Sequence, residues 1–254
     1  MELLKVKIPK IIMQTWKTKV LPSQWQASQD AIRIHMKDWK YVLMTDEMNL
    51  AFVEKYFPDF LQTYKNFPYP IQRADAIRYM WFYVHGGIYL DLDIEILQPL
   101  DVLFYDYADL YAVKSIYIKT TYTNALMACQ PGSSIMLKCV ELMKMSLEPY
   151  QELTKHSLVI NSTGPNMYTR AIVLSKRKHP SLLIKELPQS KLLNDDREEI
   201  ELQGRYSRNL PGSSWSGLDT QALIFVHQNK KPVTLTLFAL LIALSFLAYQ
   251  AKIK

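Results

Sequence analysis

Two cysteines in 254 residues, Cys129 and Cys139, are too few for a disulfide framework or a thiolate zinc site, and they leave the redox compartment open. No segment repeats and none is of low complexity, which excludes solenoids and fibrous arrays and makes one domain the default. No nucleic-acid motif accompanies the formal net charge of +6, so nucleic acid is not an expected partner. Attraction to anionic lipid headgroups or to a diphosphate accounts for the excess equally well, and the run Lys176-Arg177-Lys178 reads as a solvated helix face. Residues 1–7, MELLKVK, read as too short and too charged for a signal peptide.

What is there is a chain with 49% hydrophobic residues spread among polar ones, enough for a sizeable core. Residues 8–17, IPKIIMQTWK, read as an apolar first strand, and residues 39–46, WKYVLMTD, as a second after an amphipathic stretch at 28–37. Pro58, Pro68 and Pro70 punctuate a connecting region, and residues 109–115 and 182–187 are further strand candidates. This alternation predicts an α/β fold with a mostly parallel sheet, in which ligands gather at the carboxyl ends of strands.

Residues 71–101, IQRADAIRYMWFYVHGGIYLDLDIEILQPLD, carry the chemistry. In the first half Ile71, Ala74, Ile77, Trp81 and Phe82 recur at helical spacing; in the second Ile88, Leu90, Leu92, Ile94 and Ile96 alternate with Tyr89, Asp91, Asp93 and Glu95. A helix that Pro70 opens and Gly86-Gly87 closes is expected to run into a strand. Asp75 and Arg78, three apart, share a helix face, and Asp91 and Asp93, two apart, share a strand face opposite the aliphatic residues. Paired like charges beside apolar neighbours need a compensating cation or donors. Mg²⁺ or Mn²⁺ supplies that compensation: it takes one or two carboxylates and completes its shell with water and substrate phosphates, so a D-x-D pair can hold a nucleoside diphosphate. Arginines add contacts to phosphate or sugar oxygens. The plain alternative for a bare D-x-D is two acids on a solvated strand.

The assembled pattern, Arg73-x-Asp75-x-x-Arg78 followed by Gly86-Gly87-x-Tyr89-x-Asp91-x-Asp93, resembles the donor site of glycosyltransferase family 32, the DXD sugar transferases, which include fungal inositol phosphorylceramide mannosyltransferases. It is more distantly similar to the clostridial glucosylating toxins. The opening segment is similar too, with Met13 where the family usually has histidine and with Gln14, Thr15 and Trp16 retained. Asn161-x-x-Gly164-Pro165 resembles the family's N-x-x-G-P turn, and Gly212-Ser213-Ser214-Trp215 its G-S-S-W loop. The resemblance implies a GT-A type fold, a Rossmann-like mixed sheet flanked by helices, and transfer with retention of configuration. It further implies metal on Asp91 and Asp93, donor contacts from Gln14, Arg73, Asp75, Arg78 and Tyr89, and catalytic roles for Asp91, Asp93 and Arg78. Trp16 would stack on the nucleotide base, or else simply pack the sheet edge. Ser214 and the Trp215 indole would donate to phosphate oxygens. Family members often carry a histidine just before that glycine; here Asn209 and Leu210 stand there, so Asn209 or His227 is the remaining candidate for a further metal ligand. Glu95 reads as structural or as a helper ligand.

Residues 233–249, VTLTLFALLIALSFLAY, form an uncharged run of 17 residues between Lys230, Lys231 and Lys252, Lys254. That is just long enough to cross a bilayer, and flanking lysines can reach the headgroups. The expected organisation is a catalytic domain over residues 1–229 and a single-pass C-terminal anchor over 230–254. The charge is balanced across the span, so the positive-inside rule sets no orientation. A tail anchor by itself leaves the domain cytosolic, whereas the resemblance implies the Golgi or another endomembrane. The resemblance, with the apolar run, thus implies a metal-dependent glycosyltransferase that moves a hexose, mannose favoured, from GDP-mannose or a UDP-hexose to a lipid or glycan acceptor at a membrane. A sugar-nucleotide-binding protein without turnover and a sugar-nucleotide hydrolase are the alternatives.

Overall fold

The computed structural model describes residues 8–104, 106–115, 118, 120–145, 154–188, 192, 205–212, 217–220 and 225. The chain divides into two compact units, one of residues 1–153 with 157–213 and the other of residues 154–156 with 214–254. In the second unit Asp219 accepts from the main-chain N–H of His156 at 2.7 Å. The remaining description concerns the first.

The predicted strands form at β1 (Ile11–Thr15), β2 (Lys40–Met44), β5 (Leu110–Lys114) and β7 (Ile184–Glu186). With β3 (Gly87–Leu90) and β6 (Tyr122–Cys129) they build a six-stranded sheet in the order β2-β1-β3-β6-β5-β7. β6 alone runs against its neighbours, pairing antiparallel with both β3 and β5, so the sheet is mixed as well as mostly parallel. Both faces are covered, and successive side chains of one strand enter different cores. Ile88, Leu90, Leu126 and Ala128 pack with Ala31 and Ile32 of α1 (Gln26–His35), whereas Met13, Tyr89 and Met127 pack under the helices of the other face. Burial on both faces explains why these strands read as continuous apolar runs.

The helix opened by Pro70 is α4 (Pro70–His85), and Gly86 ends it with φ of 64°. The structure departs from a one-faced amphipathic helix here: every residue from Asp75 to Phe82 is buried, because α4 is covered by neighbours as well as by the sheet. Thr45 caps α2 (Asp46–Tyr56) by accepting from the N–H of Met48, and Asp46 and Glu47 fill its first turn. A short helix α3 (Leu61–Asn66) leads into α4. Beyond β6 come α5 (Ser134–Met143), α6 (Lys155–Ser162) and α7 (Pro165–Lys178), the last with Pro165 in its first turn.

One element differs in kind from expectation. The strand read across residues 88–96 is broken: β3 ends at Leu90, residues 91–93 turn, and β4 (Ile94–Ile96) pairs antiparallel with β8 (Ser207–Asn209) in a separate two-stranded ribbon. Main-chain N–H of Ile94 donates to the Asp91 carbonyl at 3.1 Å and closes the turn. Period-2 alternation survives such a break because the turn preserves the phase of burial, so Leu92 is still buried between two partly exposed aspartates. Among the described residues no helix is long and apolar enough to cross a membrane; residues 233–249 lie outside them.

Candidate active site

The D-x-D turn follows the carboxyl end of β3, at the edge where β1 and β2 also end. Gly87 sits close against β1: a Cβ there would lie 2.5 Å from the Ile11 carbonyl oxygen, and its φ of 108° already favours glycine. The antiparallel sense of β6 brings its first residues to the same edge, where Ala125 accepts from the Asp91 N–H at 2.8 Å.

Asp91 is held on one side only. Its Oδ1 accepts from the Tyr89 hydroxyl at 2.6 Å and from Arg78 at 3.2 Å. Its Oδ2 accepts no hydrogen bond among the described residues, and the side chain is 30% exposed. Behind it, Arg78 is almost fully buried. The guanidinium donates to the Asp91 carboxylate, to the Asn124 carbonyl at 2.8 Å and to the Ala74 carbonyl at 3.3 Å, pairs with Asp75 at 3.1 Å, and lies 4.3 Å over the Tyr89 ring. Burial works against its charge, but Tyr89, Asp91 and Asp75 outweigh it and hold its pKa above the usual arginine value.

Asp75 closes the network. Oδ1 accepts from the Asn124 amide at 2.9 Å and Oδ2 from the Thr163 hydroxyl at 3.0 Å. Burial pushes its pKa up to about 6, against the lowering pull of Arg78, Thr163 and Asn124. The same Asn124 amide donates to the Tyr79 hydroxyl at 2.9 Å, and that hydroxyl donates to the Thr163 carbonyl at 2.9 Å. A run of hydrogen-bonded charges therefore reaches from the turn between α6 and α7 to the outer face of Asp91, with Arg78 preorganised between two carboxylates.

The structure brings Asp75, Arg78, Tyr89 and Asp91 together, and several residues take positions other than those expected. Gln14 is fully buried, so it faces the underside of the turn: its Nε2 donates to the Asp91 carbonyl at 3.3 Å. Arg73 points away from the cluster and donates to the Phe67 carbonyl at 3.0 Å, because five residues place it roughly 140° around the helix from Arg78. Met13 is fully buried in the core. Trp16 is partly exposed and meets Trp25 edge to face at 5.2 Å, beside Leu92 and Leu210. Glu95 is ion-paired with Arg208 at 2.5 Å across the ribbon. Asn209 lies opposite Ile94, and the Leu210 N–H donates to the Asp93 carbonyl at 2.6 Å, so the chain leaving β8 passes beside the D-x-D turn. Ser214, Trp215 and His227 lie outside the described residues.

Sequence reasoning missed Asn124 and Thr163. Thr163 was visible only as an unspecified position inside N-x-x-G-P, where Asn161 instead bonds locally, to Asn166 at 2.9 Å. The signal for Asn124 was an amide heading the otherwise apolar run Ala125 to Cys129.

The donor set suits a hard divalent cation. Among the described residues no group of three or more histidine, cysteine, aspartate or glutamate side chains gathers, so such an ion would rest on Asp91 and Asp93 and complete its shell from water and a diphosphate.

A mixed sheet with two acids at its carboxyl edge, backed by a buried arginine, is an arrangement that can accommodate a metal-bound diphosphate. Residues 22–109 match the family described as glycosyltransferase sugar-binding region containing DXD motif, and the chain is a glycosyltransferase. Among its relatives is inositol phosphoceramide mannosyltransferase 1 of Schizosaccharomyces pombe, 27% identical over 98% of this chain and 75% of the relative. Another is the mannosyl phosphorylinositol ceramide synthase SUR1 of Saccharomyces cerevisiae, 37% identical over 62% of this chain but only 40% of the relative. In fold the chain is similar to the glycosyltransferase domain of the YGT toxin, with a TM-score of 0.54 at 8% identity over 71% of this chain and 80% of that one. It is also similar to the PaToxG glycosyltransferase, with a TM-score of 0.53 at 17% identity over 68% of this chain and 71% of that one.

Proposed function

We propose that this chain transfers mannose from GDP-mannose to the head group of an inositol phosphoceramide at an endomembrane, with retention of configuration and with Mn²⁺ or Mg²⁺ bound by Asp91 and Asp93. The observation that carries the reading is Asp91 itself, at the carboxyl edge of the sheet, with one oxygen fixed by Tyr89 and Arg78 and the other accepting no hydrogen bond among the described residues on a side chain 30% exposed. The names of the two mannosyltransferase relatives support the donor sugar and the lipid acceptor. The uncharged run at 233–249 supports the membrane setting.

When bound, the ion supplies Lewis-acid neutralisation of charge developing on the departing diphosphate. The chain's own residues do the rest. Arg78 sets a fixed positive charge beside the sugar and phosphates, at no reorganisation cost during reaction because Asp75, Asn124 and Asp91 already hold it. Asp75 holds Arg78 first and meets donor hydroxyls through what remains of its acceptor capacity. Trp16 offers an aromatic face to the base, and Ser214 and Trp215 serve as donors to the diphosphate. The bond between C1 and the diphosphate oxygen breaks while the acceptor oxygen attacks from the same face, and the acceptor proton passes to the leaving diphosphate.

The test is to incubate the purified full chain in lipid vesicles with Mn²⁺ and a panel of labelled nucleotide sugars, with and without inositol phosphoceramide. Label in the lipid with GDP-mannose is the expected result. Free mannose in both arms would replace the transferase with a hydrolase, and binding of donor without release of sugar would replace it with a binding protein.

A further inference from the structure

The D-x-D turn is gripped from below at both ends. Gln14 of β1 and Ser28 of α1 are fully buried polar side chains among apolar neighbours, where each unmade hydrogen bond would be costly. Every hydrogen they carry is accounted for. The Ser28 hydroxyl donates to the Ile94 carbonyl at 2.6 Å. Having given its one hydrogen there, Ser28 can only accept from Gln14, whose Nε2 reaches it at 3.0 Å. The second hydrogen of that amide goes to the Asp91 carbonyl at 3.3 Å, and Oε1 accepts from the Tyr41 hydroxyl at 3.0 Å. Tyr41 in turn accepts from Gln29 at 3.2 Å. The donor directions therefore fix the amide orientation, with no alternative arrangement that satisfies all the groups.

We propose that Gln14 and Ser28 are positioning residues for the cation turn: as a hydrogen-bonded pair they clamp the carbonyls of Asp91 and Ile94 and so set where the outer oxygen of Asp91 and the carboxylate of Asp93 stand. The inference rests on the reading of Asp91 and Asp93 as metal ligands. The clamp acts from β1 and α1, whereas Tyr89 and Arg78 act on the Asp91 side chain from the other direction, so the turn is held through its backbone and its carboxylate independently. A merely structural role would require only that the sheet and α1 pack, and it would leave metal affinity of the folded chain untouched.

The test is Mn²⁺ binding by the full chain in the presence of GDP, read directly as loss of the free-ion resonance in electron spin resonance, beside thermal unfolding. Ser28→Ala is expected to weaken Mn²⁺ by about tenfold, as loss of a support to metal ligands commonly does, with Ser28→Thr restoring it. The KM for donor is expected to rise in parallel. Gln14→Met, similar in volume, is expected to weaken Mn²⁺ as well. Parent-like Mn²⁺ affinity in folded Ser28→Ala and Gln14→Met would overturn the clamp. If neither variant folds, Tyr41→Phe decides: it removes only the donor to Gln14 Oε1, and unchanged affinity there overturns the proposal. The Asp91→Asn, Asp93→Asn variant separates the two levels of failure. Were it to bind Mn²⁺ with GDP as the parent does, the metal reading itself would fall, and the clamp with it.

Discussion

Asp75 is the residue whose chemistry is most altered by the fold. Its ordinary pKa of 3.8 is raised to about 6, chiefly by burial. The folded chain thus binds this proton more tightly than the unfolded chain, so the stabilisation is fully present below the ordinary pKa and is lost as pH rises through about 6. In metal-free protein, the unfolding temperature of the parent is expected to climb relative to Asp75→Asn as pH is lowered from about 7 to about 4.5, because the carboxamide does not titrate. Activity should move the other way over the same range, since a protonated Asp75 no longer pairs with Arg78. Parallel pH curves for parent and Asp75→Asn would refute this. At Asp91 and Asp93 the expected loss concerns metal binding and turnover. The double change to asparagine should reduce label transfer by about a hundredfold or more, with a thermal midpoint close to the parent, since electrostatic stabilisation of a leaving group is worth at least that much.

At the scale of elements, the junction between α4 and β3 is the most demanding. Gly87→Ala would place a Cβ 2.5 Å from the Ile11 carbonyl, in backbone already at φ of 108°. We expect a loss of about 3 kcal/mol, the sum of overpacking and the left-handed penalty, read as a lower denaturant midpoint. Gly132→Ala is the matched control: its φ is 73°, but nothing lies within 4 Å of the added carbon, so only about 1 kcal/mol should be lost. Equal losses at the two sites would mean that close approach of β1 is not what requires glycine at 87. The helix and strand periods were legible here, and so were the stop at Gly86 and the start at Pro70. The turn inside residues 88–96 was not, because alternation of burial is the same for a continuous strand and for two strands joined at a tight bend.

For the whole molecule, attachment to a bilayer turns on one apolar run. Residues 233–249 are apolar and uncharged, and an arginine at the centre of a spanning helix costs about 3 kcal/mol on insertion scales. Leu241→Arg together with Leu244→Arg is therefore expected to move the chain from the membrane pellet to the supernatant after alkaline carbonate extraction. Retention of that variant in the pellet would show that some other surface holds the protein to lipid. The same experiment bears on the acceptor, since a chain released from the bilayer should lose transfer to vesicle-embedded lipid more than it loses donor binding.

The amino-acid order alone set the class of this protein: acids two apart after paired glycines, an Asp and an Arg three apart on the preceding helix, and an apolar strand ending in Gln14-Thr15-Trp16. Those features are local, fixed by helical and strand periods within a few tens of residues. Only the tertiary structure decided which groups complete the site. Asn124 and Thr163 reach Asp75 from chain positions 49 and 88 residues away, and Ser28 reaches Ile94 across 66. Hydrogen bonds over such separations leave no periodic trace in sequence, because what brings the partners together is the packing of a mixed sheet and its helices rather than any spacing along the chain.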